Sequence, residues 1–260
     1  MPIGPSDYEI AEKSILNKRQ YIKNLGDIYY CAQKDLNLSA IYVPESKYPF
    51  DLESVKENIK CTEGREGWYY QQLKQLYFGS LNLSGLDDYL TICTDVFFNQ
   101  EISFFNGNLP IYTYGHEILN QPYFSHMRRL NPELKCFDGK SAISHHSIFN
   151  KHILQELFSD IEDRLGAPFW VAFLRAVDEK ESAAGAAEYE LYFNFLRLKN
   201  YPIETRVLNY LDTGAFWYGQ NSGAPFFAYH WYLRSGFKNQ KENFKKNVSF
   251  FLKRLFNQHN

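Results

Sequence analysis

Three short apolar stretches of this sequence each carry residues of the types that bind metal ions or transfer protons. These residues are Asp95 in the stretch 90–98, His145 and His146 in 141–149, and His230 in 224–232. Because ligands of open α/β sheets collect beyond the carboxyl ends of the strands, we expect Asp95 to contact a metal ion or a substrate. Two alternatives stay open: Asp95 as a residue that ends a strand or caps a helix, and His230 as a buried histidine hydrogen-bonded within aromatic packing.

Two further acidic residues, Glu188 and Glu190, follow a run of small residues at 182–187 and open an aromatic segment with helical character. Small residues let a substrate approach the backbone closely, and the start of a helix favours negative charge. A carboxylate there can act as a general base. Residues two apart do not share a helix face, so we expect at most one of the two acids to face a ligand, with Glu188 as the first candidate and Glu190 as the second. The alternative is that either acid only stabilises the helix terminus.

The elements that must position these residues alternate in type along the chain. Apolar runs predict strands, and helical spacing of apolar residues predicts helices; strands are expected at 27–32, 40–44 and 109–114, and helices at 8–24, 67–77 and 151–165. Such alternation predicts an α/β fold with a parallel sheet and crossover helices. A chain of 260 residues with 45% apolar residues suits one domain with a packed core.

Composition argues against several classes of protein. The four cysteines lie far apart, at 31, 61, 93 and 136, which argues against zinc sites and a disulfide framework and favours a reducing cytoplasm. No run approaches the roughly 20 apolar residues of a membrane-spanning helix, and no signal peptide opens the chain. The net charge is −2, and basic residues cluster only near the carboxyl end, so we do not expect a nucleic-acid ligand.

The segment 237–260 combines six basic residues with apolar residues at helical spacing. We expect a basic amphipathic helix that docks on the domain. The alternative is a helix that lies on a membrane interface, which would place the protein at the inner face of the membrane.

Several segments also resemble a known family when they are taken in order. They are the Pro-x-Gly-Pro-x-Asp turn at 2–7, Gly-Trp-Tyr-x-Gln-Gln at 67–72, Cys-Thr-Asp at 93–95, Ser-x-Ile-x-His-His at 141–146, Gly-Ala-Ala-Glu-Tyr-Glu at 185–190 and the aromatic-His-Trp element at 229–231. Together they resemble GT-A type glycosyltransferases, and more closely a family of small bacterial and viral GT-A-like proteins often described only as a domain of unknown function. The resemblance extends from Pro2 to Trp231.

The resemblance implies a fold, an activity and a set of site residues. The implied fold is a GT-A domain over 1–236, with a mixed, mostly parallel sheet flanked by helices. The implied activity is transfer of a sugar from a nucleotide-sugar donor to a glycan or lipid-linked acceptor, with Mn²⁺ or Mg²⁺ as cofactor. Asp95 and His230 would hold the metal, and Glu188 or Glu190 would be the base. The implied donor-binding residues are Pro2, Gly4, Gln71, Lys74, Asp95, His145 and His146.

Two of the departures from the family pattern bear on function. Cys93 replaces the first acid of the Asp-x-Asp pair, and most of the first strand is missing before Pro2, so that either the start is trimmed or the sheet tolerates a short strand. These departures keep two other functions open. One is a degenerate glycosyltransferase-like protein that binds a glycan or nucleotide without turnover. The other is a metal-dependent hydrolase that uses Asp95, His230 and the two adjacent histidines. Adjacent strand residues point to opposite faces, so at most one of these two histidines should face a ligand.

Overall fold

The computed structural model describes residues 1–83, 85–115 and 119–234. Its helices are α1 (Ala11–Tyr21), α2 (Leu52–Asn58), α3 (Glu66–Tyr77), α4 (Gln121–Leu130), α5 (Lys151–Leu165), α6 (Phe169–Arg175), α7 (Glu188–Leu198) and α8 (Phe216–Gln220). Its strands are β1 (Tyr29–Ala32), β2 (Ile41–Pro44), β3 (Asp88–Ile92), β4 (Val96–Phe98), β5 (Phe105–Asn106), β6 (Leu109–Tyr114), β7 (His146–Asn150), β8 (Glu204–Val207), β9 (Leu211–Asp212) and β10 (Phe226–Ala228). The helix expected at 237–260 lies outside the described residues.

The described strands form four small sheets, with the orders β1-β2, β4-β10-β9, β3-β7 and β5-β6-β8. The ladders β1·β2, β9·β10 and β6·β8 are parallel, whereas β4·β10, β3·β7 and β5·β6 are antiparallel. The fold is therefore mixed α/β, as the alternation of elements predicts. The mostly parallel GT-A sheet that the resemblance implies is not confirmed, because β3, β4 and β6 each pair with a short antiparallel strand.

A large aromatic core holds these sheets and helices together. Its fully buried members include Tyr69 and Leu73 of α3, Phe149 of β7 and Tyr192 of α7. Helix α5 begins at the Asn150 side chain, which accepts hydrogen bonds from the backbone of His152 and Ile153, and this cap satisfies N–H groups that would otherwise have no helical partner.

Two predicted strands are shorter in the structure than the sequence pattern suggests. In each case a candidate site residue lies outside the strand as a result. The stretch 90–98 is interrupted at 93–95, so Asp95 lies in the turn between β3 and β4. The stretch 141–149 becomes a strand only at His146, because His145 adopts a left-handed backbone conformation with φ of 59°. Such a φ is uncommon for a residue other than glycine and does not continue a strand.

No helix within the described part of the chain has the length and apolar character needed to cross a membrane.

Candidate functional site

The side chains of Asp95, His230 and Asp212 form a continuous chain of hydrogen bonds. The Nδ1 of His230 lies 2.9 Å from Oδ2 of Asp95, and its Nε2 lies 2.9 Å from Oδ1 of Asp212. Asp95 and His230 are 135 positions apart in the sequence. The imidazole ring is thus held between two carboxylates at the place where β3, β9 and β10 end.

His145 is the fourth member of this cluster. Its Nε2 lies 3.8 Å from Oδ1 of Asp212, and its ring centre lies 5.2 Å from that of His230. The left-handed backbone at His145 turns its ring toward these residues, whereas His146 points into the core. One of the two adjacent histidines therefore contributes to the site.

Backbone hydrogen bonds fix the loops that carry the cluster. Tyr229 N–H donates to the Asp95 carbonyl at 2.7 Å, and Cys93 N–H donates to the His145 carbonyl at 3.0 Å. Thr213 N–H donates to the Ala228 carbonyl at 2.9 Å, which aligns β9 with β10. Strand ends that are far apart in sequence are thereby held in one arrangement.

A glycine allows the last of these loops to approach closely. A Cβ added at Gly214 would lie 2.3 Å from the carbonyl oxygen of Leu233. Atoms at that separation would clash, so only glycine fits here without a backbone shift. This contact brings the segment after Asp212 against the segment after His230.

A buried lysine, Lys18, stabilises the turn that contains Asp95. Lys18 Nζ donates to the Val96 carbonyl at 2.8 Å and to Ser14 Oγ at 2.6 Å, and Ser14 Oγ donates to the Thr94 carbonyl at 2.5 Å. Burial lowers the pKa of Lys18 to about 7, while the Asp95 carboxylate acts in the opposite direction. Helix α1 thus fixes the carbonyl groups on both sides of Asp95.

The charges in the cluster stabilise one another. Burial alone would lower the pKa of His230, but its hydrogen bonds to Asp212 and Asp95 outweigh burial and raise this pKa to about 9. Burial alone would raise the pKa of Asp95, but the hydrogen bond from His230 and the nearby His145 and Lys18 lower it. At neutral pH and without a bound metal ion, an ionised Asp95 therefore pairs with an imidazolium at His230; a cation bound at Nε2 would displace its proton.

Cys93, two residues before Asp95, does not reproduce a carboxylate. Burial raises the pKa of its thiol well above the usual value, and the charges of Asp95 and Glu188 raise it further. Without a metal ion the thiol therefore stays protonated at neutral pH, and even as a thiolate it would be a softer ligand than a carboxylate.

Glu188 is a buried carboxylate at the first position of α7, with 6% of its surface exposed. Burial raises its pKa to about 7, and a hydrogen bond from the Gln75 side chain acts in the opposite direction. Gln72 fixes the start of α7, because its amide accepts from Glu188 N–H at 3.2 Å and donates to the Ala186 carbonyl at 3.2 Å. A carboxylate with a pKa near 7 suits proton transfer at neutral pH.

Glu190, the second candidate base, is buried and hydrogen-bonded to other groups of the protein. It is 1% exposed and accepts hydrogen bonds from Ser141 Oγ at 2.7 Å, Ala142 N–H at 3.1 Å and Asn194 Nδ2 at 3.3 Å. These bonds anchor the loop that leads to His145. Glu190 therefore positions the site and is not placed to contact a substrate.

The Glu190→Ala variant is expected to lower the free energy of unfolding by about 1–3 kcal/mol, because it leaves buried donors at Ser141 and Ala142 without an acceptor. Chemical denaturation measures this change, and Glu190→Gln, which keeps one acceptor oxygen, is the matched control with a smaller loss. A variant as stable as the native protein would show that Glu190 does not anchor this loop.

The remaining sequence candidates lie around the cluster or away from it. The Pro2 carbonyl accepts a hydrogen bond from Thr94 Oγ1 at 2.8 Å, and Gly4 precedes the first 3₁₀ turn, so both border the Asp95 turn. Lys74 forms an ion pair with Glu45 at 2.6 Å and is largely buried, which differs from the expected contact with a diphosphate. Gln71 is half-buried on the same helix.

His146 is the clearest departure from the expected donor-binding set. It is 2% exposed, and its Nε2 lies 3.1 Å from Thr113 Oγ1. Its ring packs against Phe98, Phe104 and Phe226, and burial lowers its pKa well below the usual value. A hydrolase site that needs both adjacent histidines is therefore not assembled.

Sequence reasoning missed Asp212 and Lys18. Asp212 ends a two-residue strand, Leu211–Asp212, and is followed by Thr213 and Gly214. An acid at a strand end before a glycine was a usable signal, but a two-residue strand is too short to recognise by periodicity. Lys18 looks like an ordinary polar residue of an amphipathic helix, and nothing in the pattern marks it as buried.

Comparison with known proteins adds a fold similarity. No family model matches the chain, and no curated protein matches its sequence. Among solved structures, the chain is similar to mouse xyloside xylosyltransferase 1 in its apo form, a glycosyltransferase, with a TM-score of 0.42 and 11% identity. The similarity covers 86% of this chain and 91% of that one. At this level neither a shared activity nor a shared site follows, and function has to be inferred from the cluster itself.

Proposed function

We propose that this chain is a glycosyltransferase that moves a sugar from a nucleotide-sugar donor to a glycan or lipid-linked acceptor. The observation that carries the proposal is the convergence of Asp95, His145, Asp212 and His230 at one place, where separate strand ends meet. Glu188, a buried carboxylate with a pKa near 7, is close enough to this turn for its charge to raise the pKa of Cys93. A cation-binding cluster and a general base are the two parts that transfer from a diphosphate leaving group needs.

The donor set of the cluster fits a divalent cation. His145, Asp212 and His230 each offer one ligand atom, and these atoms all lie within 4.8 Å of one another. Two imidazole nitrogens and a carboxylate oxygen suit Mn²⁺ better than Mg²⁺, which prefers oxygen ligands throughout. Asp95 would then orient His230 through its Nδ1, which is the usual arrangement around a metal-bound histidine. When bound, the cation would neutralise the leaving diphosphate.

The residues of the chain itself perform the other steps. Asp95 and Asp212 hold the His230 ring in a fixed orientation, and Lys18 keeps the Asp95 turn in place. Glu188 accepts the proton of the acceptor hydroxyl, since its raised pKa makes it an effective base near pH 7. The Cys93 thiol, whose pKa is raised by burial and by the charges of Asp95 and Glu188, does not replace the missing carboxylate as a hard ligand.

Exposed aromatic rings beside the cluster supply a surface for a glycan acceptor. Tyr232 is 53% exposed, and its ring stacks on His230 with 5.1 Å between centres. Trp231 is 56% exposed and contacts Tyr232. Rings with an apolar face and a polar edge suit the faces of sugar rings, which are apolar with polar rims.

A binding screen tests the proposal. Calorimetry of the purified protein against UDP-, GDP- and dTDP-sugars is expected to show binding of one nucleotide class, and this binding should require Mn²⁺. Product analysis with oligosaccharide acceptors then measures transfer. Absence of donor binding in a folded protein, with and without Mn²⁺, would contradict the proposal.

A second function is favoured by the neutral Cys93 thiol, which removes one carboxylate from the expected metal site. In that case the protein binds a glycan or nucleotide without turnover. The Cys93→Asp variant separates the two functions. If the native protein is inactive and the variant gains activity, the native site has lost its catalytic function. If the native protein is active and the variant is no more active, the site is complete without that carboxylate.

A further inference from the structure

Gln75 of α3 is buried at the point where α3, β3 and α7 meet. It is 4% exposed, and its side-chain Oε1 accepts hydrogen bonds from Thr91 Oγ1 at 2.5 Å and from Tyr189 Oη at 2.8 Å. Its backbone carbonyl accepts a further hydrogen bond from Tyr89 Oη at 2.8 Å. Contacts from both β3 and α7 therefore hold this residue in one place.

These contacts determine which end of the Gln75 amide faces Glu188. The oxygen of an amide side chain accepts hydrogen bonds, whereas its nitrogen only donates them. Because Oε1 accepts from the two hydroxyls of Thr91 and Tyr189, the amide turns Nε2 toward the Glu188 carboxylate and donates to it. The two hydroxyls thus orient the donor that Glu188 receives.

This donor affects the charge of Glu188. Burial raises the pKa of Glu188 to about 7, whereas its own backbone N–H and the Gln75 side chain act in the opposite direction. A donor to an ionised carboxylate stabilises the ionised form. Without Nε2, a smaller fraction of Glu188 would be ionised at pH 7, and only the ionised form can accept a proton.

The titratable neighbours of Glu188 stay neutral near pH 7. Among the described residues, its charge acts on Cys93 and Tyr189, and burial raises the pKa of each of these groups well above its usual value. The two side chains of α3 that bond to the start of α7, Gln72 and Gln75, carry no charge. A titration of Glu188 between pH 5 and pH 9 is therefore not mixed with that of these neighbours.

We propose that Gln75 is a positioning residue that holds the Glu188 carboxylate through Nε2 and keeps it available as the base. Thr91 and Tyr189 orient the amide for this contact. Gln75 acts through Glu188 and not on the substrate. The inference rests on the proposed function, because it assigns Gln75 a part in removing the proton of the acceptor hydroxyl.

The titration of the Glu188 carboxyl tests the inference without an assay of sugar transfer. ¹³C NMR of protein labelled at the glutamate side-chain carboxyls follows this titration, and the Glu188→Gln variant identifies the resonance by its absence. In Gln75→Met, which keeps the size of the side chain but has no donor, we expect the midpoint about one pH unit or more above that of the native protein. An unchanged midpoint in the folded variant would overturn the proposal.

A triple variant covers the case that Gln75→Met does not fold, since that change leaves two buried hydroxyls without their acceptor. Gln75→Met with Thr91→Val and Tyr189→Phe removes these hydroxyls as well, and replacing all partners of a hydrogen bond by apolar groups costs little stability. The matched control is Thr91→Val with Tyr189→Phe, which keeps Gln75. We expect a raised midpoint in the triple variant and a smaller change in the double variant. Equal midpoints in the two would overturn the proposal.

The pH profile of the transfer rate connects this titration to activity. Its rising limb should move to higher pH by as much as the carboxyl midpoint, which lowers the rate at pH 7 about fivefold for a shift of one unit. A limb that stays in place while the carboxyl midpoint moves would overturn the role of Gln75 in transfer. A protein without transfer activity would contradict the proposed function instead, and the carboxyl titration would still decide whether Gln75 holds Glu188.

Discussion

The Asp95→Asn variant is expected to bind Mn²⁺ about 10- to 100-fold more weakly than the native protein, which is the usual effect of losing a carboxylate that orients a metal-bound histidine. Asp95 accepts from Nδ1 of His230 at 2.9 Å and fixes the ring so that Nε2 faces Asp212. An asparagine keeps the size of the side chain but removes its charge. Turnover of a nucleotide sugar at limiting Mn²⁺ should fall with the affinity.

The matched control for this variant is Asp87→Asn, which removes a carboxylate from an exposed ion pair with Lys151 and should leave Mn²⁺ affinity unchanged. Titration of Mn²⁺ by calorimetry measures both. If Asp95→Asn binds Mn²⁺ as tightly as the native protein while Asp212→Asn does not, Asp95 has no part in holding the cation.

The Glu188→Gln variant is expected to lower the rate of sugar transfer by about 10²- to 10⁴-fold, because it removes the general base. In the native protein the rate should rise with pH through about 7, since burial raises the pKa of Glu188 to that value and the base acts in its ionised form. The variant should lose this pH-dependent limb. A pH profile of the transfer rate measures both effects, and an unchanged profile in the variant would assign the base to another group.

The same variant is expected to be more stable than the native protein at alkaline pH. The pKa of Glu188 is raised from 4.5 to about 7 on folding, so between these values the folded state binds more protons than the unfolded state. The stability of the native protein therefore falls as pH rises through this window. Glutamine removes the cost of burying the ionised form, which is about 3 kcal/mol at pH 8.

Chemical denaturation at pH 4.5 and pH 8 tests this stability change. The two proteins should differ little at pH 4.5, and the difference should develop above it. A variant that is less stable at both values would show that the glutamate has hydrogen bonds which the amide cannot replace. Lower activity together with higher stability is the expected signature of a strained catalytic group.

The sequence predicts the local elements well where long periodic patterns exist. The strand at 109–114 and the helix at 151–165 have the predicted bounds. Both carry a regular apolar pattern and clear boundaries, such as Asn150 as the cap of α5. Mixed α/β architecture follows from the same alternation, but the division into four small sheets does not, because strand pairing depends on contacts distant in sequence.

The candidate site is predictable in part for a similar reason. Asp95 and His230 were expected to hold a metal ion together; the structure places their side chains in hydrogen-bond contact at 2.9 Å, and the shared metal ion stays a prediction. His145 faces the site and His146 does not, because the backbone of His145 is in the left-handed conformation. The alternation of apolar and polar residues in the sequence does not reveal that conformation. Asp212 and Lys18 were missed because tertiary contacts, rather than local pattern, give them their environment.

The spacing of charged residues in the sequence also did not distinguish charged side chains that face solvent from charged side chains that are buried in the core. Lys74 and Glu190 have the residue types of ligand-binding groups, but Lys74 pairs with Glu45, and Glu190 accepts hydrogen bonds from a loop. Charged groups of this kind are buried because a partner compensates the loss of hydration. The partner in each case comes from a distant part of the chain.

Pulsed electron paramagnetic resonance of Mn²⁺ with the protein and the nucleotide sugar selected by the binding screen tests the central claim most directly. We expect ¹⁴N couplings from the imidazole rings of His145 and His230 and a ³¹P coupling from the donor diphosphate. The His145→Gln variant should lose part of the nitrogen signal and keep the phosphorus signal. A Mn²⁺ signal without nitrogen or phosphorus coupling, in protein that binds the donor, would contradict a metal-dependent sugar-transfer site at this cluster.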